Sequence, residues 1–155
     1  MAIHMIRLRL ACAFAMLVAT AGVASSASAA DKQACTIILG DEGLLKPSVD
    51  LTALSSNGFG GRPAEATITA TNSSYSVVVE TPFGFTIAPP DGAANTIFDA
   101  TVSGRGATDF LEIPDQIPIR IKRGTTALAI NLTATKLAGS FSSGNYRAET
   151  TIRCE

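Results

Sequence analysis

Tyr146-Arg147-Ala148-Glu149-Thr150-Thr151-Ile152-Arg153-Cys154-Glu155 closes the chain and decides its fold class. Tyr146, Ala148, Thr150, Ile152 and Cys154 fall on one side, and Arg147, Glu149, Thr151, Arg153 and Glu155 on the other. Strict alternation of this kind is the period of a β-strand with one buried and one wet face. Near the opposite end, Cys35-Thr36-Ile37-Ile38-Leu39 places Cys35 on the same face as Ile37 and Leu39. Both sulfurs therefore point toward the core side of their strands, and the two segments predict a Cys35–Cys154 disulfide joining the first strand to the last.

The same pattern recurs between these ends. Ala66, Ile68 and Ala70 alternate with Glu65, Thr67, Thr69 and Thr71, and after Asn72-Ser73-Ser74 comes Tyr75-Ser76-Val77-Val78-Val79-Glu80, which reads as a hairpin. Phe85 to Ile87 is a short strand stopped by Pro89-Pro90-Asp91-Gly92, and Ile97 to Val102 is another, ended by Gly104-Arg105-Gly106. Ile117, Ile119 and Ile121 alternate with Pro118, Arg120 and Lys122. Proline has no N–H to give a ladder, so that segment belongs at a sheet edge or a bulge. Leu128, Ile130, Leu132 and Ala134 form a clean inward row, and Val49, Leu51 and Ala53 mark a weaker strand. Seven to nine short strands without a ten-residue helix predict an all-β fold, an immunoglobulin-like Greek-key β-sandwich, with a closed barrel as the alternative.

Ahead of this domain, His4, Arg7 and Arg9 precede an apolar run from Leu10 to Ala24, and Ala27-Ser28-Ala29 or Ser28-Ala29-Ala30 supplies a small-x-small site. That order is the tripartite secretory signal, and the run is shorter than the roughly 20 residues a membrane span needs. The reading divides the chain into a cleaved signal peptide, 1–30, and a single domain, 31–155, exported to an oxidising compartment. Of 12 Lys and Arg, Arg7 and Arg9 lie in the signal, so the mature domain sets 10 against 13 Asp and Glu, a net charge of −3. The charges are scattered, and neither a nucleic-acid stripe nor a polybasic membrane patch is expected.

Removal of the signal also removes His4, the chain's one histidine, together with Met1, Met5, Met16 and Cys12. Histidine-based triads and imidazole metal ligation are then impossible, and Cys35 and Cys154 lack the CxxC spacing of a redox or metal pair. Asp109, Glu112 and Asp115 form the densest acidic stretch. They sit three apart in a loop-like segment without the spacing of a calcium loop, and they read as solvated surface acids. Asn57-Gly58-Phe59-Gly60-Gly61 and Gly104-Arg105-Gly106 read as turns rather than phosphate loops, because neither opens a helix. The sequons at Asn72 and Asn131 are frequent by chance. No catalytic residue, cofactor or metal is expected. Phe59, Phe83 and Phe110, near loops or strand ends, are the candidate partner-binding residues, set against the commoner role of aromatics as core plugs.

The early Cys-Thr-Ile strand, Ala-Thr-Ile-Thr-Ala-Thr-Asn at 66–72 and the closing Gly-Ser-Phe-Ser-Ser-Gly-Asn-Tyr-Arg-Ala-Glu-Thr-Thr-Ile-Arg-Cys at 139–154 give the chain an outline. It resembles bacterial secreted domains of the spore coat protein U and pilin-like group. The resemblance implies an immunoglobulin-like sandwich, a periplasmic or cell-surface location in a bacterium, and a role in surface coats or appendages assembled by strand exchange. It departs from the chaperone/usher pilins at one point. Only Asp31-Lys32-Gln33-Ala34 stands between the expected cleavage site and Cys35, and those residues are too polar to serve as a donated strand. The functional expectation is a non-catalytic structural or surface-assembly protein, self-associating or binding other surface proteins. The alternative is a monomeric module that recognises a protein or glycan through the loops at 57–62, 81–92 and 104–116.

Overall fold

The structure is a computed structural model that describes residues 34–58 and 60–155; the segment 1–30, expected from the sequence to be a signal peptide, lies outside the described residues. The described residues are all-β and contain no helix. In chain order the strands are β1 (Cys35–Leu39), β2 (Lys46–Pro47), β3 (Ala53–Ser55), β4 (Ala64–Ala70), β5 (Ser76–Glu80), β6 (Phe85–Ile87), β7 (Thr96–Gly106), β8 (Phe110–Pro114), β9 (Ile119–Arg120), β10 (Gly124–Lys136), β11 (Arg147–Ala148) and β12 (Thr151–Cys154).

The longest strand, β10, organises the larger sheet. Thr126, Leu128, Ile130, Leu132 and Ala134, every second residue, are buried. One edge of β10 is covered along most of its length by β7, from Thr126↔Gly106 to Lys136↔Thr96. The other edge is shared, β4 pairing its first half and β3 its second. β1 adds outside β4, β2 outside β3, and β8 outside β7, all antiparallel. Thr126, the polar member of the inward row, has no exposed surface, and its hydroxyl accepts the Thr108 N–H at 3.2 Å. A buried hydroxyl needs such a partner.

A second group of strands lies apart from this sheet. β12 and β9 flank β5, and β11 pairs β6. Ala66 and Ile68 of β4, Leu128 and Ile130 of β10, Val102 of β7, and Val77 and Val79 of β5 share one hydrophobic cluster, with Ile121 beside them. Ile37, Ile119 and Ile152 pack against it, so strands of the seven-stranded and three-stranded sheets bury side chains in a common core. A second cluster gathers Leu54, Ala134 and Phe141 with Leu45, Phe85, Phe98 and Tyr146.

Cys35 and Cys154 are bonded, with Cα atoms 6.3 Å apart and 119 residues between them, and both half-cystines pack on the main core. The bond ties the outer strand of one sheet to the outer strand of the other. In a chain-entropy description, closing a loop of that length removes about 5 kcal/mol of freedom from the unfolded chain.

Several local expectations change in three dimensions. β4 and β5 do not form a hairpin. β4 pairs β1 and β10, β5 pairs β12 and β9, and the Asn72-Ser73-Ser74 turn carries the chain from one sheet to the other. The Asn72 side chain accepts from the Ser74 N–H and hydroxyl, so the turn is locally held. Val49, Leu51 and Ala53 do not make one strand: Ala53 begins β3, and Val49 and Leu51 lie in a turn where Leu51 has φ 59°. The Asp50 carboxylate holds that turn, accepting from the Ser48 hydroxyl (2.5 Å) and the Thr52 hydroxyl (2.8 Å). Residues 110–114, expected as loop, form β8, an edge strand whose register shifts opposite Val102 and Gly104. Gly104 lies within β7 rather than in a turn, because the Phe110 ring occupies its missing side chain; an added Cβ would meet Phe110 Cε1 at 2.2 Å. The proline-bearing segment does sit at an edge, with Pro118 just ahead of β9.

Replacing both cysteines by serine is expected to lower unfolding stability by about 2–5 kcal/mol, read from urea denaturation, with reductant shifting the native protein by the same amount. A change below about 0.5 kcal/mol would mean that the bridge does not restrain the unfolded chain. The hydrogen bonds from Ser48, then Thr52, hold the Asp50 carboxyl below its ordinary value of 3.8. Because the folded value is the lower one, the turn's stabilisation is present above 3.8 and is lost as pH falls through the depressed value. Ser48→Ala should raise the Asp50 midpoint toward 3.8 in a carboxyl-carbon NMR titration.

Candidate functional site

β1 runs away from the disulfide toward Leu39, and β12 runs toward it from Thr151. The two strands are thus pinned together at the cysteine end, and a groove of about 800 Å³ opens toward the other. Its interior is apolar: Leu39, Leu44, Leu54, Ile130, Leu132 and Ile152 line it. The size lies within the range of ligand-binding clefts.

The sequence makes this gap through side-chain parity. Leu39 continues the inward face begun by Cys35 and Ile37, yet it is 77% exposed, because no strand of the described residues covers it. Leu44 and Leu51, also on the lining, are exposed for the same reason. Among the described residues, β1 pairs only with β4 and β12 only with β5, so each presents a free backbone edge. Such edges are templates for a further strand.

One end of the groove is closed by aromatic packing. Phe141 is buried, and Tyr146 meets it edge-on with ring centroids 5.4 Å apart; Phe85 meets Tyr146 at 5.0 Å and Phe98 at 4.9 Å. The Tyr146 hydroxyl donates to the Ser142 carbonyl at 3.0 Å, fastening the 142–146 turn. Gly144 has φ 152°, and a Cβ there would meet Pro89 Cγ at 2.4 Å, so the Gly-Asn-Tyr turn requires glycine both for its backbone and for the proline against it. Ser56 finishes the polar side, its hydroxyl accepting the Leu132 N–H at 2.9 Å and donating to Asn131 Oδ1 at 3.1 Å. That bond uses the side chain of one sequon asparagine.

Charge is confined to the rim. Arg147 Nη2 lies 3.7 Å from Glu42 Oε1, and Arg147 Nε lies 3.5 Å from Glu149 Oε1. Glu42 follows β1 and Arg147 stands in β11, so the first pair spans the mouth between the two walls. All three side chains are more than half exposed, and ion pairs in that setting contribute little to stability.

The residues singled out from sequence are dispersed. Phe83 is fully exposed in the β5–β6 connection, and Phe110 is half-buried against the main core over Gly104. Phe59 lies outside the described residues. Neither Phe83 nor Phe110 lines the groove. The acidic stretch is engaged locally: Asp109 accepts the Gly106 N–H at 3.0 Å, and Asp115 accepts the Thr81 hydroxyl at 2.7 Å. Among the described residues no cluster of three or more His, Cys, Asp or Glu is placed to hold a metal ion. No helix among them is long and apolar enough to cross a membrane. Comparison of the chain with protein-family models, with curated proteins and with solved structures finds no match.

An open groove has a measurable signature in the free protein. Leu39→Ala should leave stability within about 0.5 kcal/mol of the parent, whereas Leu54→Ala, at a buried position on the same lining, should cost about 2–4 kcal/mol in chemical denaturation. Equal costs at the two positions would mean that the groove is closed in solution.

Proposed function

We propose that this chain is an exported, non-catalytic surface-assembly protein that accepts an extended apolar segment into the groove between β1 and β12. The observation that carries the reading is the coincidence of an apolar groove with two free strand edges. Backbone edges supply the hydrogen bonds of β-strand addition, and pockets for alternate side chains supply its selectivity. The fold reading that goes with it is an immunoglobulin-like Greek-key sandwich lacking one edge strand. In support, β1, β4, β10 and β7 lie in one sheet, β12, β5 and β9 in another, and the β4–β5 connection crosses between the sheets. The resemblance of the closing segment to the spore coat protein U and pilin-like group points the same way, since strand exchange is what that resemblance implies. An intact disulfide accords with export to an oxidising compartment.

The test is a titration of purified mature protein with a synthetic peptide of about ten residues that alternates Val or Ile with Ser or Thr, a typical strand length. A saturable rise in Tm is expected, since a ligand that binds only the folded state stabilises it by mass action. The rise should disappear in a Leu39→Glu, Leu44→Glu variant that is otherwise folded. An unchanged Tm at millimolar peptide, with the protein monomeric by light scattering at every concentration, would overturn the proposal.

A further inference from the structure

A bare strand edge pairs with the next edge it meets, and proteins guard against this with a charge, a proline or a very short strand. Among the described residues, the strands with a free edge carry such guards in every case but one. β2 is Lys46-Pro47, β8 holds Glu112 and Pro114, β9 follows Pro118 and holds Arg120, and β12 holds Arg153, ion-paired to Glu80. β6 and β11 are three and two residues long. β1, Cys35-Thr36-Ile37-Ile38-Leu39, has no charge and no proline, and its Ile38 and Leu39 are 60% and 77% exposed on opposite faces.

The bonding pattern fixes which groups of β1 are free. The Gly40 N–H donates to the Glu65 carbonyl at 2.9 Å, and the Ala34 carbonyl accepts the Thr71 N–H at 3.0 Å. In an antiparallel ladder every second residue bonds the same neighbour, and the β1–β4 register runs without a shift, so Thr36 and Ile38 also turn their backbone groups to β4. The N–H and C=O groups of Ile37 and Leu39 therefore face the open side.

We infer that this edge receives the β1 strand of a second copy, antiparallel, about a two-fold axis at Ile38. The inference rests on the strand-acceptor reading and names the wall of the groove that is used and the strand that comes to it. About that axis Ile37 of each copy stands opposite Leu39 of the other, and the free backbone groups of one satisfy those of the other. Ile38 meets its own counterpart at a non-hydrogen-bonded position, where Cα atoms approach to about 4.5 Å and side chains pack closest. Both exposed side chains gain an apolar neighbour, Ile38 on the outer face and Leu39 on the inner. A two-fold contact brings a charged residue near the axis up against its own copy, so β1, which has none, is the strand on which self-pairing meets no repulsion. The contact is small beside the roughly 800 Å² per partner of a standard interface, and the dimer is accordingly weak and reversible.

The experiment measures the mass of the mature, disulfide-bonded protein by sedimentation equilibrium at concentrations up to about 1 mM, the range in which weak contacts populate. Monomer–dimer exchange is expected, and Ile38→Lys, at an exposed position, should raise the dissociation constant about tenfold or more by setting two like charges together. Cysteine substitution reads the register. The Ile38→Cys variant should cross-link to its own copy on mild oxidation, because the paired Cα atoms lie within disulfide reach, whereas Thr125→Cys, at an exposed position on the central strand β10, should not. A dimer that Ile38→Lys leaves intact, or one in which the Ile38→Cys variant fails to cross-link, would place the contact elsewhere and overturn the inference. A monomer at every concentration whose Tm still rises with the alternating peptide would overturn the second copy as occupant and leave the strand-acceptor reading standing. A monomer that does not respond to the peptide would overturn both.

Discussion

Everything in this architecture hangs on the side-chain alternation of β10. Five inward residues, Thr126 to Ala134, are buried while both backbone edges of the strand are paired. A one-residue slip would turn Leu128, Ile130 and Leu132 to solvent and bring Ala127, Ala129 and Asn131 inward. The register with β7 and β4 is therefore set by the burial of β10, and those strands in turn place β8 and β1. Gly124, with φ 120°, begins the strand opposite Ala70, where the chain must turn sharply out of the loop after Ile121. β3 fits beside the second half of β10 because β4 gives up that edge after Ala64, and this hand-over brings Leu54 to the groove and to the aromatic cluster.

The disulfide acts on the part of the molecule that β10 does not reach. β1 and β12 are outermost strands, each paired on one side among the described residues, and sheet ends of that kind are the first to fray. Joining Cys35 to Cys154 holds them at a fixed separation where both half-cystines also pack on the core. Farther along, the walls part, and the apolar space between Leu39 and Ile152 is left uncovered among the described residues. On the strand-acceptor reading, a groove whose walls are fixed by the disulfide at one end and by edge-to-face aromatics at the other needs little reordering to admit a strand. Preorganisation of that sort raises affinity by reducing what binding must order.

What the sequence made legible was periodicity, and what it concealed was partnership. The inward rows of β10, β4 and the closing segment are readable because burial of one face leaves a mark at every second residue. In the closing segment the alternation persists through the break at Glu149 and Thr150 that separates β11 from β12. The parity of Cys35 and Cys154 was legible for the same reason. The turn at Asn72-Ser73-Ser74 was readable as a turn, but its Asx-type hydrogen bonding suits a crossover between sheets as well as a hairpin, so the pairing of β4 and β5 was misread. Val49, Leu51 and Ala53 misled because three alternating residues are too few. Asp50 and Ser48 offered the backbone a competing set of side-chain bonds, and those won. The groove left no local signal. Leu39 obeys the inward parity of its strand, and only the relative positions of β1, β11 and β12, distant in sequence, reveal that its inward side is uncovered.

Under the strand-acceptor reading, the division of labour between the groove's interior and its rim follows from the different reach of the two forces. Apolar burial contributes about 25 cal/mol per Å² whatever side chain supplies the area, so a lining of Leu, Ile and Phe favours any strand of suitable spacing. Backbone edges are equally indifferent to sequence. The charges at the rim are balanced, Glu42 and Glu149 against Arg147 and against Arg62 at the Glu42 carbonyl, and so select no partner by sign. Their exposure, which makes the Glu42–Arg147–Glu149 set nearly worthless to the stability of the free protein, also keeps its desolvation cost low when a partner arrives. A rim that contributes little to folding is thus free to vary without loss of the core that holds the domain together.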